Sequence, residues 1–480
     1  MRQLLVVALA LAACSNGSSK GGQESAGSGS AGSGSAGSGS AVADPWSKPT
    51  PPKEPDTPER RQARAERALE RVNKIMPEVA RLRALSAERT VPTRYQLPGE
   101  FRDFVRREIA RELPPERSHN LSAALAHLGF LAKPLDIATV EEQAMTTQAG
   151  AYYDPAAKAF FLVMVPDNDL MLDTISAHEL THALQDQHFN LTKFLPSDGS
   201  LDDDAATARR FVAEGDATLA MLLYGVRSML GNDTPKLAMA TLRKQIEELA
   251  RLDVDELKAQ VKTQSAAFGV LDGDIKKSID AMDDIPPAVL VPLLDSYMKG
   301  ALVALTAYEH GGWPAVDKLY AAPPQSTEQV LHPDTKLYPR RDPPTKVALA
   351  KPHGTELWGN VLGELQWRIY FDLWKVPDAE QAAAGWGGDR ASVTRDGERI
   401  VGRIATSWDT PDDAKQFATA YIASLAARFP GADTSHPEAG VARPDGSKVF
   451  VRSAGKRVFI VDGGRDAAEL ASLVRTSTFR

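Results

Sequence analysis

Cysteine is nearly absent from this chain of 480 residues: the single one is Cys14. One thiol excludes any intramolecular disulfide framework. Blocks of basic residues are missing too, and a net charge of -7 with a pI near 5.8 argues against nucleic acid as a partner. The apolar stretch near the N-terminus, residues 4–11, is too short to span the ~30 Å of a bilayer's hydrocarbon. What is present is the composition of a soluble globular protein, 43% hydrophobic and 25% charged, with room for two or three domains.

The first residues, MRQLLVVALALAAC, put Arg2 ahead of a short apolar core and end in Leu11-Ala12-Ala13-Cys14. This resembles the bacterial lipobox, in which the thiol is acylated and the chain is cut just before it. The resemblance implies a signal peptide at 1–13, a lipid on Cys14 and attachment to a membrane through that lipid. Ser15, where an inner-membrane retention signal has Asp, implies the outer membrane as the address within a Gram-negative cell envelope. Residues 14–57 form the lipidated Cys and a flexible tether, with three copies of AGSGS over 26–40 and a Pro-rich, charged stretch after them. Some forty such residues reach roughly 35 Å on average.

Three further segments follow. Residues 58–148 read as an N-terminal helical region; within it, Leu69, Val72, Ile75, Val79 and Leu82 mark the apolar side of a helix over 59–85. Residues 149–345 form the expected catalytic core. It opens with a hairpin, Gly150-Ala151-Tyr152-Tyr153, a turn at Asp154-Pro155-Ala156-Ala157 and a β-rich run over 158–165. A helix with Asn168 as N-cap comes next, then a second helix over 205–225 and a mostly helical stretch to 310, broken near 269–274 and 285–287. Residues 346–480 read as a small α+β region, with strands at 399–407, 447–452 and 457–461 and helices at 411–428 and 466–475. The expected fold class is α+β and helix-rich.

The helix after the hairpin carries His178-Glu179-Leu180-Thr181-His182. Residues four apart share a helix face, so two imidazoles aim at one point, and neutral imidazole is a zinc ligand. Glu179 stands beside them as a base able to take a proton from a metal-activated water. With nine histidines in the chain, a chance match is on the order of one in a hundred. Ile175, Leu180 and Leu184 predict an amphipathic helix buried on one side.

A catalytic zinc ion takes a third protein ligand. Glu214, in Phe211-Val212-Ala213-Glu214-Gly215-Asp216-Ala217-Thr218, is the expected one: a carboxylate in an apolar helix is costly to bury unless it binds something. Gly215 would allow close approach to the zinc helix. His188 competes, ten residues after His178, but Gln185 occupies the place of the glycine that such a turn-back needs. Asp216 and Asp202-Asp203-Asp204 are weaker candidates. For an oxyanion-stabilising group, His332 leads, with His310, Tyr308 and Tyr320 behind it; a structural role for its loop, with Glu328 and Gln329 tying down backbone, is equally open. Trp313, Trp358 and Trp386 read as core more than pocket.

The HExxH helix followed by Glu214-Gly215-Asp216-Ala217 resembles the gluzincin branch of the zincin-fold metallopeptidases. The chain is also similar to an uncharacterised family of HExxH zincin-like lipoproteins. The residues that carry this are Gly150-Ala151-Tyr152-Tyr153-Asp154-Pro155, HELTHALQDQH, Pro324-Gln325-Ser326-Thr327-Glu328-Gln329-Val330-Leu331-His332-Pro333 and Gly385-Trp386-Gly387-Gly388-Asp389. The resemblance implies a zinc peptidase with one Zn2+ on His178, His182 and Glu214, a peptide or protein substrate, and a small sheet over the metal helix. In that fold a strand ahead of the metal helix pairs with substrate backbone, which points to 158–165. Two departures stand out: a long interval before Glu214, implying an inserted loop over 190–204, and Thr218 where thermolysin-like enzymes have an Asp supporting the first histidine. Support must come from elsewhere, with Asp216 or Asp173 as candidates. The rival reading is a non-catalytic envelope lipoprotein that keeps the fold for binding or structure.

Overall fold

A computed structural model of the protein describes residues 57–146, 150–166, 169–230, 236–267, 279–351 and 353–480. The expected signal peptide, Cys14, nearly all of the expected tether, the expected cap at Asn168 and the expected break near 269–274 lie outside the described residues.

Helix α1 (Pro58–Arg83) is capped by Thr57 with Pro58 in its first turn and closed by Ala84 in the left-handed region. Its buried side is Ala65, Ala68, Val72, Ile75, Val79 and Arg83. This face is rotated from the predicted one, so Arg83 lies inside while Leu69 and Leu82 are only partly covered. Strand β1 (Thr93–Tyr95) leads to α2 (Pro98–Glu112), α3 (Pro115–Leu128) and α4 (Ile137–Thr146).

The hairpin forms as β2 (Ala151–Asp154) and β3 (Ala159–Leu162). These join β1 in a three-stranded sheet of order β1-β3-β2, in which β1 is parallel to β3 and β2 antiparallel to it. The run over 158–165 therefore holds the central strand, with both backbone edges already paired. That corrects its assignment as the substrate strand, because a paired edge has no peptide groups to offer.

Helix α5 (Asp169–Phe189) carries the HExxH residues. Every residue from Leu172 to Asp186 is buried, so this is a central helix covered on all sides rather than the amphipathic one expected. The short α6 (Leu191–Phe194) sits in the interval read as an inserted loop, and α7 (Asp203–Leu230) follows. Then come α8 (Lys236–Arg251), α9 (Val254–Ala267), a 3-10 turn at Ala281–Asp284, α10 (Pro287–Gly311), α11 (Trp313–Ala321) and α12 (Thr327–Leu331). Helix α10 is long and apolar enough to cross a membrane by length and composition, but most of it is buried here against its neighbours.

Gly215 of α7 meets Gly300 of α10, where a β-carbon added to Gly215 would fall 2.1 Å from the Gly300 carbonyl. Gly215 thus permits a close helix crossing, though with α10 and not with the HExxH helix α5.

The C-terminal part opens with β4 (Val347–Ala348), which pairs with the last strand, β11 (Thr478–Phe479). Between them, β5 (Thr355–Asn360), α13 (Gly363–Leu373), α14 (Ala379–Ala383), β6 (Trp386–Asp396), β7 (Arg399–Trp408), α15 (Pro411–Arg428), β8 (Val441–Ala442), β9 (Lys448–Ala454), β10 (Arg457–Gly464) and α16 (Ala467–Thr476) succeed one another. The main sheet is antiparallel, six strands in the order β5-β6-β7-β10-β9-β8. Along β10, Val458 and Ile460 pack with α13 and α15 on one face, while Phe459 and Val461 pack with α16 on the other. Strands β5 and β6 went unread in the sequence. The glycines of Gly385-Trp386-Gly387-Gly388-Asp389 accommodate a bulge between Trp386 and Gly388. Gly388 adopts φ +143°, and a β-carbon there would strike the Thr345 carbonyl. The chain as a whole is mixed α+β and helix-rich.

Candidate metal centre

Helices α5 and α7 pack side by side, and this contact gathers the two imidazoles and one carboxylate. His178 Nε2 lies 3.1 Å from His182 Nε2 and 3.2 Å from Glu214 Oε2, and the His182–Glu214 distance is 3.3 Å. One nitrogen or oxygen from each of the three residues falls within 4.8 Å of the others. All three residues are buried, His178 at 1% exposure, His182 at 5% and Glu214 at 6%, so what access there is lies on the His182–Glu214 side. Burial holds His178 below the ordinary histidine pKa, which keeps its ring neutral and able to donate a lone pair to a metal. Two imidazoles and a carboxylate are a zinc donor set, so the residues present fit such an ion.

Glu179 is equally buried, and its Oε2 accepts a 2.9 Å hydrogen bond from the Tyr153 backbone N–H of β2. This bond also orients the strand. In the β2–β3 ladder, Gly150 accepts from Val163 N, so Ala151 and Tyr153 turn their peptide groups to the opposite, outer edge. The outer edge of β2 therefore faces the base. The hairpin is fastened below by Asp186 of α5, which accepts from the Tyr153 hydroxyl at 2.8 Å and pairs with Lys158 at 2.7 Å.

Of the rival ligands, His188 points away, bonded through Nε2 to the Ser86 carbonyl at 2.7 Å. Asp173 is bound by Arg71. Asp202 accepts from Ala205 N at the start of α7, and Asp204 accepts from Thr327, so that acidic run serves as a helix start. His332 lies in another cluster, 2.9 Å from Glu364 Oε1 and 3.2 Å from Arg368, and none of these partners belongs to the metal group. His310 stacks on Tyr338, Tyr308 packs edge-on to Trp313, and Tyr320 donates to Asp216. Gln329 does tie down backbone, accepting from Gln325 N and donating to the Asp342 carbonyl. The three tryptophans are structural: Trp313 lies under Arg83, Trp386 donates to Asp389, and Trp358 packs against the core of the C-terminal sheet.

A second acidic group, Glu328, Asp342 and Asp409, already surrounds the Lys336 ammonium, which pairs with all three carboxylates.

Sequence reasoning missed three contributors. Tyr297 of α10 is fully buried with its ring 5.7 Å from that of His178, one turn from the Gly300 crossing that brings α10 in. Gln185, weighed only as an obstacle to a different motif, bonds His182. Arg83 reaches Asp216 from the end of α1. For Arg83 a signal existed: it falls four residues after Val79 on the buried stripe, a charge where an apolar residue is expected.

A family model described as a domain of unknown function (DUF8575) matches residues 354–474. That span lies within the C-terminal sheet region and contains none of His178, His182 and Glu214. No curated protein and no solved structure matches the chain.

Proposed function

We propose that this protein is a zinc-dependent peptidase of zincin type, with His178, His182 and Glu214 holding one ion and Glu179 as general base. The observation that carries the reading is the convergence of those three ligand atoms with a non-ligating carboxylate fixed next to them. When bound, zinc supplies a Lewis acid and lowers the pKa of a water molecule. Glu179 takes a proton from the attacking water as its oxygen bonds to the substrate carbonyl carbon. As the C–N bond breaks, Glu179 returns the proton to the leaving amine. Its bond to Tyr153 N fixes where this exchange takes place. Substrate backbone adds to the outer edge of β2, where Ala151 carries the neighbouring outward-facing peptide groups. The lipid on Cys14 and its tether hold this centre at the cell envelope.

The near-complete burial of His178 and Glu179, at 1% exposure each, favours a second reading in which a closed metal site only stabilises the fold. Substitution of the base separates the two. Zinc-loaded wild type is expected to cleave an unfolded protein substrate. Glu179→Gln should keep its zinc and lose at least about 100-fold in rate. Equal cleavage by the variant, or none by the wild type across a broad peptide library, favours the closed-site reading.

A further inference from the structure

Beside the metal ligands, four residues from three helices form a one-way chain of hydrogen bonds. His182 Nδ1 lies 2.8 Å from Gln185 Oε1. The other end of that amide, Gln185 Nε2, lies 3.0 Å from both the Ala213 carbonyl and Asp216 Oδ2. Asp216 is completely buried and is met at 2.6 Å by Arg83 Nε, at 3.1 Å by Arg83 Nη2 and at 2.8 Å by the Tyr320 hydroxyl. Arg83, also fully buried, is in turn held by Asp317 at 2.6 Å. A guanidinium can only donate and a carboxylate can only accept, so the direction of every link is determined. Arg83 keeps Asp216 an acceptor. Asp216 and the Ala213 carbonyl then demand the amide nitrogen of Gln185, which turns its oxygen toward His182. That oxygen demands N–H at Nδ1, and a neutral ring protonated there has its lone pair at Nε2, facing Glu214 and His178.

We propose that Arg83, Asp216 and Gln185 are positioning residues that set the tautomer of His182 and present its Nε2 for metal binding. The proposal rests on the metal-site reading above. It goes beyond it in assigning support to the second histidine through a glutamine, from an arginine at the end of the helix that follows the tether. His178 differs: its buried Nδ1 has no hydrogen-bond partner among the described residues, and neither does the Thr218 hydroxyl. The support is therefore one-sided, where paired support of both histidines would be the ordinary arrangement.

Two measurements test this on the full chain. In metal-free wild type with ¹⁵N-labelled histidine, the His182 ring, assigned by its loss in His182→Ala, is expected to be the Nδ1–H tautomer. A predominant Nε2–H form overturns the relay whatever any variant does. Zinc affinity is then measured by chelator competition, and the Co2+-substituted visible spectrum recorded, for wild type, Gln185→Met and Tyr320→Phe. Gln185→Met is expected to weaken binding about 10- to 100-fold and to alter the Co2+ spectrum. Tyr320→Phe, which removes one donor from Asp216 but leaves its link to Gln185, should match wild type. Unchanged affinity and spectrum in Gln185→Met overturn the relay while leaving the metal site intact. Failure of wild type itself to bind zinc or Co2+ overturns the metal-site reading instead.

Discussion

Between α5 and α7, two imidazole nitrogens and a carboxylate oxygen lie within 3.3 Å of one another. In the C-terminal sheet, buried Asp462 of β10 instead faces Arg428 at 3.0 Å and is also paired with Arg443. Burial alone would raise the Asp462 pKa, and the two guanidinium groups overcome this to hold it below the usual carboxylate range. Both clusters are deep inside the molecule, but the one in the sheet pairs a carboxylate with guanidinium groups and the one between the helices joins imidazoles to a carboxylate. The α5–α7 cluster gathers the donor set that a zinc ion takes. On the function proposed above, that contrast separates a site for an ion from a cluster that holds the fold.

The largest effect that would sharpen this contrast is expected in the sheet. Asp462→Ala leaves buried guanidinium charge uncompensated and should cost about 3–5 kcal/mol in urea unfolding. His178→Ala in metal-free protein should cost clearly less, since it removes a neutral ring rather than one side of a charge pair; an equal loss would erase the distinction between the clusters.

Gly215→Ala comes next. The added methyl meets the Gly300 backbone and has no flexible side chain to displace, so α7 and α10 must part, at about 1–3 kcal/mol. Because Glu214 adjoins that crossing, zinc affinity should fall as well. Calorimetry with and without zinc checks both parts, and full stability in the variant would show the crossing to be looser than described.

The smallest expected effect is in acid. His178 has its folded pKa depressed by burial, so its contribution is present above the ordinary histidine pKa of about 6.5 and is lost as pH falls through the folded value. Asp462 is also depressed, and its contribution is lost only as pH falls below the carboxylate range. In metal-free protein, hydrogen exchange on α5 should therefore accelerate at a higher pH than exchange on β10. The reverse order would contradict the contrast drawn between the two clusters.

The same contrast explains how much could be read in the sequence. His178, Glu179, His182 and Glu214 were legible because their chemistry is local: two are four residues apart on a helix, and Glu214 is a carboxylate in an apolar run. Most of the helices, and strands β7, β9 and β10, were legible from periodicity. Arg83 showed only as a charge on a buried stripe, because its partner Asp216 lies on another helix. Gln185 sits three residues after His182, but its amide nitrogen is bonded to Ala213 and Asp216 of α7, which no spacing within α5 encodes. The place of the run over 158–165 in its sheet was misread for a related reason. A hairpin shows in the sequence, but β1, far earlier in the chain, decides which of its strands becomes central. His332 lay in a polar segment that looked chemical, and in the fold it is engaged by Glu364 and Arg368.

The central claim is that His178, His182 and Glu214 form one metal site. Its most direct test is zinc content per chain after chelator stripping, reloading and gel filtration. The account predicts one equivalent in wild type and in His188→Ala, and loss of tight binding in Glu214→Ala. Full retention of zinc by Glu214→Ala, or its loss from His188→Ala, would contradict it.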